Sequence, residues 1–268
     1  VRPENTLSAF RYALAAGVDT LEMDLLVTKD DVVVVAHDPL LNPEICLDPS
    51  GKRITKPIPI RSLTLKQLKK YDCGSLVNPR FPKQSSQPKE RVPTFEEVLI
   101  WLAADPNPKA KQVWLNVETK SEEAHPEYAP EPKEFAKNVV ALLRKHRVLE
   151  RTTLQSFDFR TLIAARELEP KITISALIED RPSEPLTAIA ARLRANVVSP
   201  NHEWLTREDV KSLQAAQVKV IPWTANTKED WQKLVEFGVD GIISDHPQAL
   251  IEYRDSIGGR SPLNGESC

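Results

Sequence analysis

From residue 94 onward, apolar stripes at helical spacing take turns with short β-branched runs. Helical patterns near 94–104, 132–146, 158–168, 184–194, 206–216 and 228–237 each precede a strand-like run, at 112–118, 152–156, 172–178, 195–199, 218–223 and 240–244. Gly238 closes the last of these helices. Strands that alternate with helices imply a parallel sheet with helices packed outside it. Earlier in the chain, residues 5–17 read as a helix with Asn5 as its N-cap, a stripe of Leu7, Phe10, Ala13 and Leu14, and Gly17 as its stop. Residues 18–28 and 32–36 read as strands.

The link Lys29-Asp30-Asp31 is too short for a helix, so these two strands should form a hairpin. A turn centred on Asp30-Asp31 pairs residues whose numbers sum to 61, which sets Asp24 opposite His37. Residues 39–93 are rich in Pro, Lys, Ser and Asn, with one weak helical stretch near 64–71. They read as a long insertion over one end of the molecule, either a lid that shapes substrate access, a disordered segment or packing filler. Parallel strands fall near residues 20, 114, 154, 175, 197, 220 and 242. A (β/α)8 barrel needs eight, so the first barrel strand is expected upstream of Val1. An open seven-stranded sheet is the alternative, disfavoured by its exposed edges. Residues 1–254 form one barrel domain on this reading, and 255–268 a polar tail.

Composition narrows the function classes. Lys and Arg number 36 and Asp and Glu 38, a net charge of −2, which gives no electrostatic case for nucleic acid or an anionic membrane. No apolar run reaches the roughly 18 residues that span a bilayer. Val1 leads straight into a helix start, and a processed precursor would read the same, so the compartment stays open. The three cysteines, Cys46, Cys73 and Cys268, make no C-x-x-C pair. Cys46 and Cys73 could be bridged or remain two thiols, and the sequence leaves both open.

Candidate chemistry gathers at strand ends. Glu22 and Asp24 share parity and point to one face, as do Glu118 and Lys120. Three carboxylates, a histidine and a lysine converging on one rim suit a divalent cation and a phosphate. Without a cation between them the carboxylates would repel one another, unless each pairs with a basic residue. The His37 imidazole titrates near neutral pH and could exchange a proton with an alcohol. Lys120 could neutralise phosphate oxygens. Trp223, at the end of its strand, could wall a pocket or pack the core, and Phe157 has a similar claim. His125, His146, His202 and His246 read as loop or surface residues. Glu4 lies close enough to approach the site, but a cap at Asn5 already accounts for its segment.

An ordered set of motifs resembles the glycerophosphodiester phosphodiesterase family. It comprises Pro3-Glu4-Asn5-Thr6-Leu7-Ser8-Ala9-Phe10, Leu21-Glu22-Met23-Asp24, Thr28-Lys29-Asp30, His37-Asp38, Asn116-Val117-Glu118-Thr119-Lys120, Ser156-Phe157-Asp158, Trp223-Thr224-Ala225-Asn226 and Gly238-Val239-Asp240-Gly241-Ile242-Ile243-Ser244-Asp245-His246-Pro247. The resemblance implies a TIM barrel that uses a divalent cation to cleave glycerophosphodiesters to glycerol 3-phosphate and an alcohol. It implies Glu22, Asp24 and Glu118 as metal ligands, whose hard oxygens suit Mg2+ or Ca2+, and His37 as one of two catalytic histidines. The family's His-Arg-Gly motif, which supplies the other histidine and an arginine, is expected upstream of Pro3-Glu4-Asn5 and is not in this sequence. Asp31 replaces the usual turn glycine. A lysophospholipase D or sphingomyelinase D type activity is an alternative, needing an apolar trough that the polar 39–93 region does not suggest. A catalytically silent barrel is another. Relatives with long insertions are often exported, which points to a periplasmic or secreted protein, with a cytoplasmic one as the alternative.

Overall fold

The computed structural model describes residues 1–259. Helix α1 (Leu7–Ala16) leads into β1 (Thr20–Val27), which turns back as β2 (Val33–Val35). An insertion follows, carrying β3 (Leu40–Leu41), β4 (Ile58–Pro59) and α2 (Leu65–Leu68). The chain then alternates: α3 (Phe95–Ala104), β5 (Trp114–Thr119), α4 (Pro132–Lys145), β6 (Thr152–Ser156), α5 (Phe159–Leu168) and β7 (Thr173–Ile178). It continues with α6 (Leu186–Leu193), β8 (Val197–Pro200), α7 (Arg207–Ala215), β9 (Lys219–Val220), α8 (Lys228–Phe237) and α9 (Pro247–Ser256).

The main sheet runs β2-β1-β5-β6-β7-β8-β9, with only β2 antiparallel to its neighbour. Each parallel strand lies beside the next in the chain, with a helix between nearly every pair, the winding of a (β/α) barrel. Both faces of the strands are covered: Leu21, Met23 and Leu25 on one face of β1 and Asp24 and Leu26 on the other are buried, as are Leu115 and Val117 on one face of β5 and Asn116 and Glu118 on the other. The sheet curls strongly. Phe157 follows β6 and Trp223 follows β9, three strand steps away or roughly 14 Å on a flat sheet, yet their rings meet edge to face at 5.4 Å.

Several expectations are corrected. The hairpin pairs Leu25 with Val35 and Val27 with Val33, so the paired numbers sum to 60 and not 61. Thr28 closes the loop, accepting from Asp31 N at 3.0 Å and donating its own N–H to Val32 O at 3.0 Å, and Asp31 takes a left-handed φ of 60°. That is a three-residue loop ending in a left-handed residue. One residue of slip puts Ala36, not His37, opposite Asp24, with Ala36 N donating to Asp24 O at 3.0 Å.

Asn5 is not the cap of α1. Thr6 is, its hydroxyl accepting from Ala9 N, while Gly17 ends the helix at φ 92° as expected. Residues 240–244 form no regular strand. They run beside 220–225 through Asp240 N to Val220 O (2.9 Å) and Ile243 N to Pro222 O (3.0 Å). Pro222 has no N–H to return, and the Asp240 carboxylate takes the Val220 N–H at 2.8 Å, so the ladder cannot become regular. Helix α9 was not expected. Tyr253 packs on Trp231 at 5.8 Å and Arg254 reaches Asp19 at 3.3 Å, and α9 extends through Ser256 into the stretch read as tail. The remainder of that tail, 260–268, lies outside the described residues.

The insertion is an ordered unit with its own core of Leu41, Cys46, Ile54, Ile60, Leu68 and Val92, packed on Leu26 and Val34 of the hairpin. Its apolar residues are spaced too irregularly to show a period. Cys46 and Cys73 form a disulfide that closes it.

Candidate active site

Strand register assembles the site. Asp24 pairs with Glu118 across β1 and β5, and Glu118 pairs with Gln155 across β5 and β6. Glu22, two residues before Asp24, shares its face. One carboxylate oxygen from each of Glu22, Asp24 and Glu118 lies within 4.8 Å of the others, a spacing that could hold a metal ion. Asp24 and Glu118 are buried, at 4% and 6% exposure.

Lys120 enters the same cluster, its Nζ 3.3 Å from Glu118 Oε1 and 3.8 Å from Asp24 Oδ1. Burial and repulsion from Asp24 push the Glu22 and Glu118 carboxyls well above the usual carboxylate range, and Glu118 adds to the shift of Glu22. Burial works against charge on Lys120, but Glu118 and Asp24 outweigh it and raise its pKa. One ammonium therefore faces three carboxyl groups, two of which resist ionisation unless more positive charge is beside them. That demand for positive charge, the oxygen-only donor set and the close spacing fit a hard divalent cation.

His37 sits just beyond the end of β2. Its Nδ1 lies 2.8 Å from Asp38 Oδ1, and about half of its side chain is exposed (45%). The Asp38 hydrogen bond, opposed by burial and aided by the Asp24 charge, raises the His37 pKa. Pro3, Glu4, Asn5, His37, Asp38 and Asn42 line one cleft that continues into the insertion. Burial raises the Glu4 carboxyl, with His37 opposing the shift.

Trp223 is anchored by its Nε1, which donates to Ser199 O at 2.8 Å. Phe157, at 36% exposure, presents its ring to Trp223. The loop carrying Phe157 is fixed by Asp158, whose carboxylate accepts from Ser121 Oγ at 2.7 Å and from Arg160. The structure thus gathers Glu22, Asp24, Glu118 and Lys120 around one point, places His37 at the adjoining cleft, and pairs Phe157 with Trp223.

Sequence reasoning missed three neutral side chains. Asn5 Nδ2 donates to Asp24 Oδ2 at 2.8 Å, and Asp24 N donates to Asn5 Oδ1 at 3.0 Å. Gln155 Nε2 donates to Glu22 Oε1 at 2.9 Å, and Gln155 Oε1 accepts from Asn116 Nδ2 at 2.9 Å. The parity of Asn116 with Glu118 was a usable signal. Nothing local marked Asn5, which looks like a helix cap.

Comparison with known proteins agrees with this geometry. Residues 1–249 match the model of the Glycerophosphoryl diester phosphodiesterase family. A glycerophosphodiester phosphodiesterase from Caldanaerobacter subterraneus subsp. tengcongensis is 30% identical over 250 residues, 93% of this chain and 91% of the relative. The solved structure of a glycerophosphoryl diester phosphodiesterase homologue from Silicibacter pomeroyi DSS-3 superimposes with a TM-score of 0.89 at 30% identity, covering 97% of this chain and 90% of that one. A phosphodiesterase from Oleispira antarctica, solved with the product sn-glycerol-3-phosphate, shares the fold at 24% identity and a TM-score of 0.78, covering 95% of this chain and 92% of that one. With the strand winding, the carboxylate cluster and the match over residues 1–249 in agreement, the chain belongs to the glycerophosphoryl diester phosphodiesterase family of TIM-barrel enzymes.

Proposed function

We propose that this enzyme hydrolyses glycerophosphodiesters to glycerol 3-phosphate and an alcohol, with a divalent cation held by Glu22, Asp24 and Glu118. The observation that carries the reading is the meeting of three carboxylate oxygens within 4.8 Å, from the middle of β1 and the C-terminal end of β5. The product-bound Oleispira antarctica relative supports the substrate class. Mg2+ or Ca2+ would supply charge for the phosphate and lower the pKa of a glycerol hydroxyl.

The chain's own groups have separate tasks. Lys120, tied to Glu118 and Asp24, offers a fixed ammonium to a phosphate oxygen. His37, held by Asp38, exchanges a proton with the glycerol hydroxyl or the departing alcohol. Phe157 and Trp223 form an apolar wall against the glycerol or alcohol carbons. The Cys46–Cys73 disulfide supports an oxidising, exported setting. No helix among the described residues is long and apolar enough to cross a membrane.

The test is hydrolysis of glycerophosphocholine by the full chain, with and without a chelator. Release of glycerol 3-phosphate that stops on chelation and returns with Mg2+ or Ca2+ is the expected result. Release unaffected by chelator removes the cation from the mechanism, and no release under any condition removes the activity.

A further inference from the structure

We infer that Gln155 is a positioning residue that aims Glu22 at the cation, and that Asn116 exists in its present form to orient Gln155. The inference rests on the cation reading given above.

Gln155 lies on β6 at 1% exposure, two strands from β1. Its side chain reaches over the intervening β5 to Glu22 Oε1 at 2.9 Å. A primary amide has one accepting end and one donating end. A Glu22 ionised by the cation beside it can only accept, so Nε2 must face it and Oε1 must face away. Oε1 then needs a donor, and Asn116 Nδ2 supplies it at 2.9 Å. This fixes the Asn116 amide as well, because its Nδ2 is committed to Gln155.

The consequence is visible on the other end of Asn116. Its Oδ1 is buried and has no hydrogen-bond partner among the described residues. Leaving a buried carbonyl unpaired costs stability, and native interiors avoid it. If the relay served packing alone, an apolar pair of similar size would avoid that cost. The orphaned atom is explained if the relay serves to deliver an N–H to Glu22 in one orientation. A neutral donor suits this task. It fixes the carboxylate without cancelling the charge that a dication needs, whereas Lys120 already neutralises part of the cluster. Partners that orient metal ligands typically alter metal affinity 10–100-fold when lost.

The test is cation binding by the full chain, read as the rise in melting temperature on titrating CaCl2 or MgCl2 from EDTA, with substrate turnover measured separately. Gln155→Met keeps length and volume but cannot donate. It should need 10–100-fold more cation to reach half the rise, with melting in EDTA little changed. A merely structural Gln155 would give the reverse: lower melting in EDTA and an unshifted midpoint. That result overturns the inference. Asn116→Ala leaves Gln155 present but unanchored and should shift the midpoint in the same direction by at least threefold, and it carries the test if Gln155→Met does not fold. An unshifted midpoint in Asn116→Ala overturns the role given to Asn116. A wild-type protein whose melting ignores both cations overturns the cation reading itself, and the inference with it.

Discussion

Asn5 and Asp24 grip each other at two points, amide to carboxylate at 2.8 Å and backbone N–H to amide oxygen at 3.0 Å. Asn5 holds a left-handed φ of 54° to do so. Asn tolerates that conformation better than most residues. The segment before α1 is thereby locked to the middle of β1, beside the acidic cluster.

Asn5→Ala should therefore cost about 2–4 kcal/mol, combining the lost charged hydrogen bond with left-handed strain. Asn5→Gly accepts the φ but lacks the amide, so it should recover the strain component only. Chemical denaturation of the three proteins checks this. Equal stability of Asn5→Gly and wild type would mean that the link to Asp24 contributes nothing.

Glu118→Gln should abolish cation-dependent hydrolysis of glycerophosphocholine while leaving the fold intact. It removes one of three clustered carboxyls, itself buried and repelled by Asp24, and leaves Lys120 paired with Asp24. Melting in EDTA should be equal to or higher than wild type, and the cation-induced rise should vanish. Wild-type turnover by this variant would take Glu118 out of the site.

The hydrogen bond to Asp38 holds the His37 pKa up. Asp38→Asn removes the charge that does so. If His37 titrates in the reaction, its limb of the kcat/KM profile should move to lower pH in Asp38→Asn, whichever direction it passes the proton. An unmoved profile with unchanged rates would show that His37 does not titrate in the rate-determining steps.

Asp72 ties the insertion together, accepting from the backbone N–H groups of Gly74, Ser75 and Lys89 at 3.0, 3.0 and 2.8 Å. Burial raises its pKa, but these bonds and the Ser75 hydroxyl outweigh that and lower it below the usual Asp value. Its contribution to stability is complete above the unfolded-state pKa, near about 3.9, and disappears as pH falls through the lowered folded value. Asp72→Asn should melt lower than wild type at neutral pH, with the gap narrowing in acid below that range. Melting curves from pH 7 to 2 report it, and a gap that widens in acid would contradict it.

The Cys46–Cys73 bond closes a loop across a sequence separation of 27. Chain-entropy arguments give roughly 3–4 kcal/mol for a loop of this size. Dithiothreitol should lower the melting temperature of the wild type and leave a Cys46→Ser/Cys73→Ser variant unaffected. Identical responses of the two would show that the bridge does not form in solution.

Most of the alternation of helix and strand after residue 94 was plain in the sequence because its elements carry local signals, such as Gly238 stopping α8. Parity likewise put Glu22 with Asp24 and Glu118 with Lys120, since a strand turns its side chains with a period of two. Other features had no local signal. The hairpin slipped by one residue because the left-handed Asp31 lengthens its loop, and Asn5 forgoes the cap to bond a carboxylate nineteen positions away. The insertion's core joins residues from Leu26 to Val92 that share no period, and Gln155 meets Glu22 only because the sheet sets β6 two strands from β1. Sequence alone determined which residues could share a face, because backbone geometry is local. Tertiary structure decided which faces meet, because curvature and long-range hydrogen bonds depend on the whole chain closing around one interior.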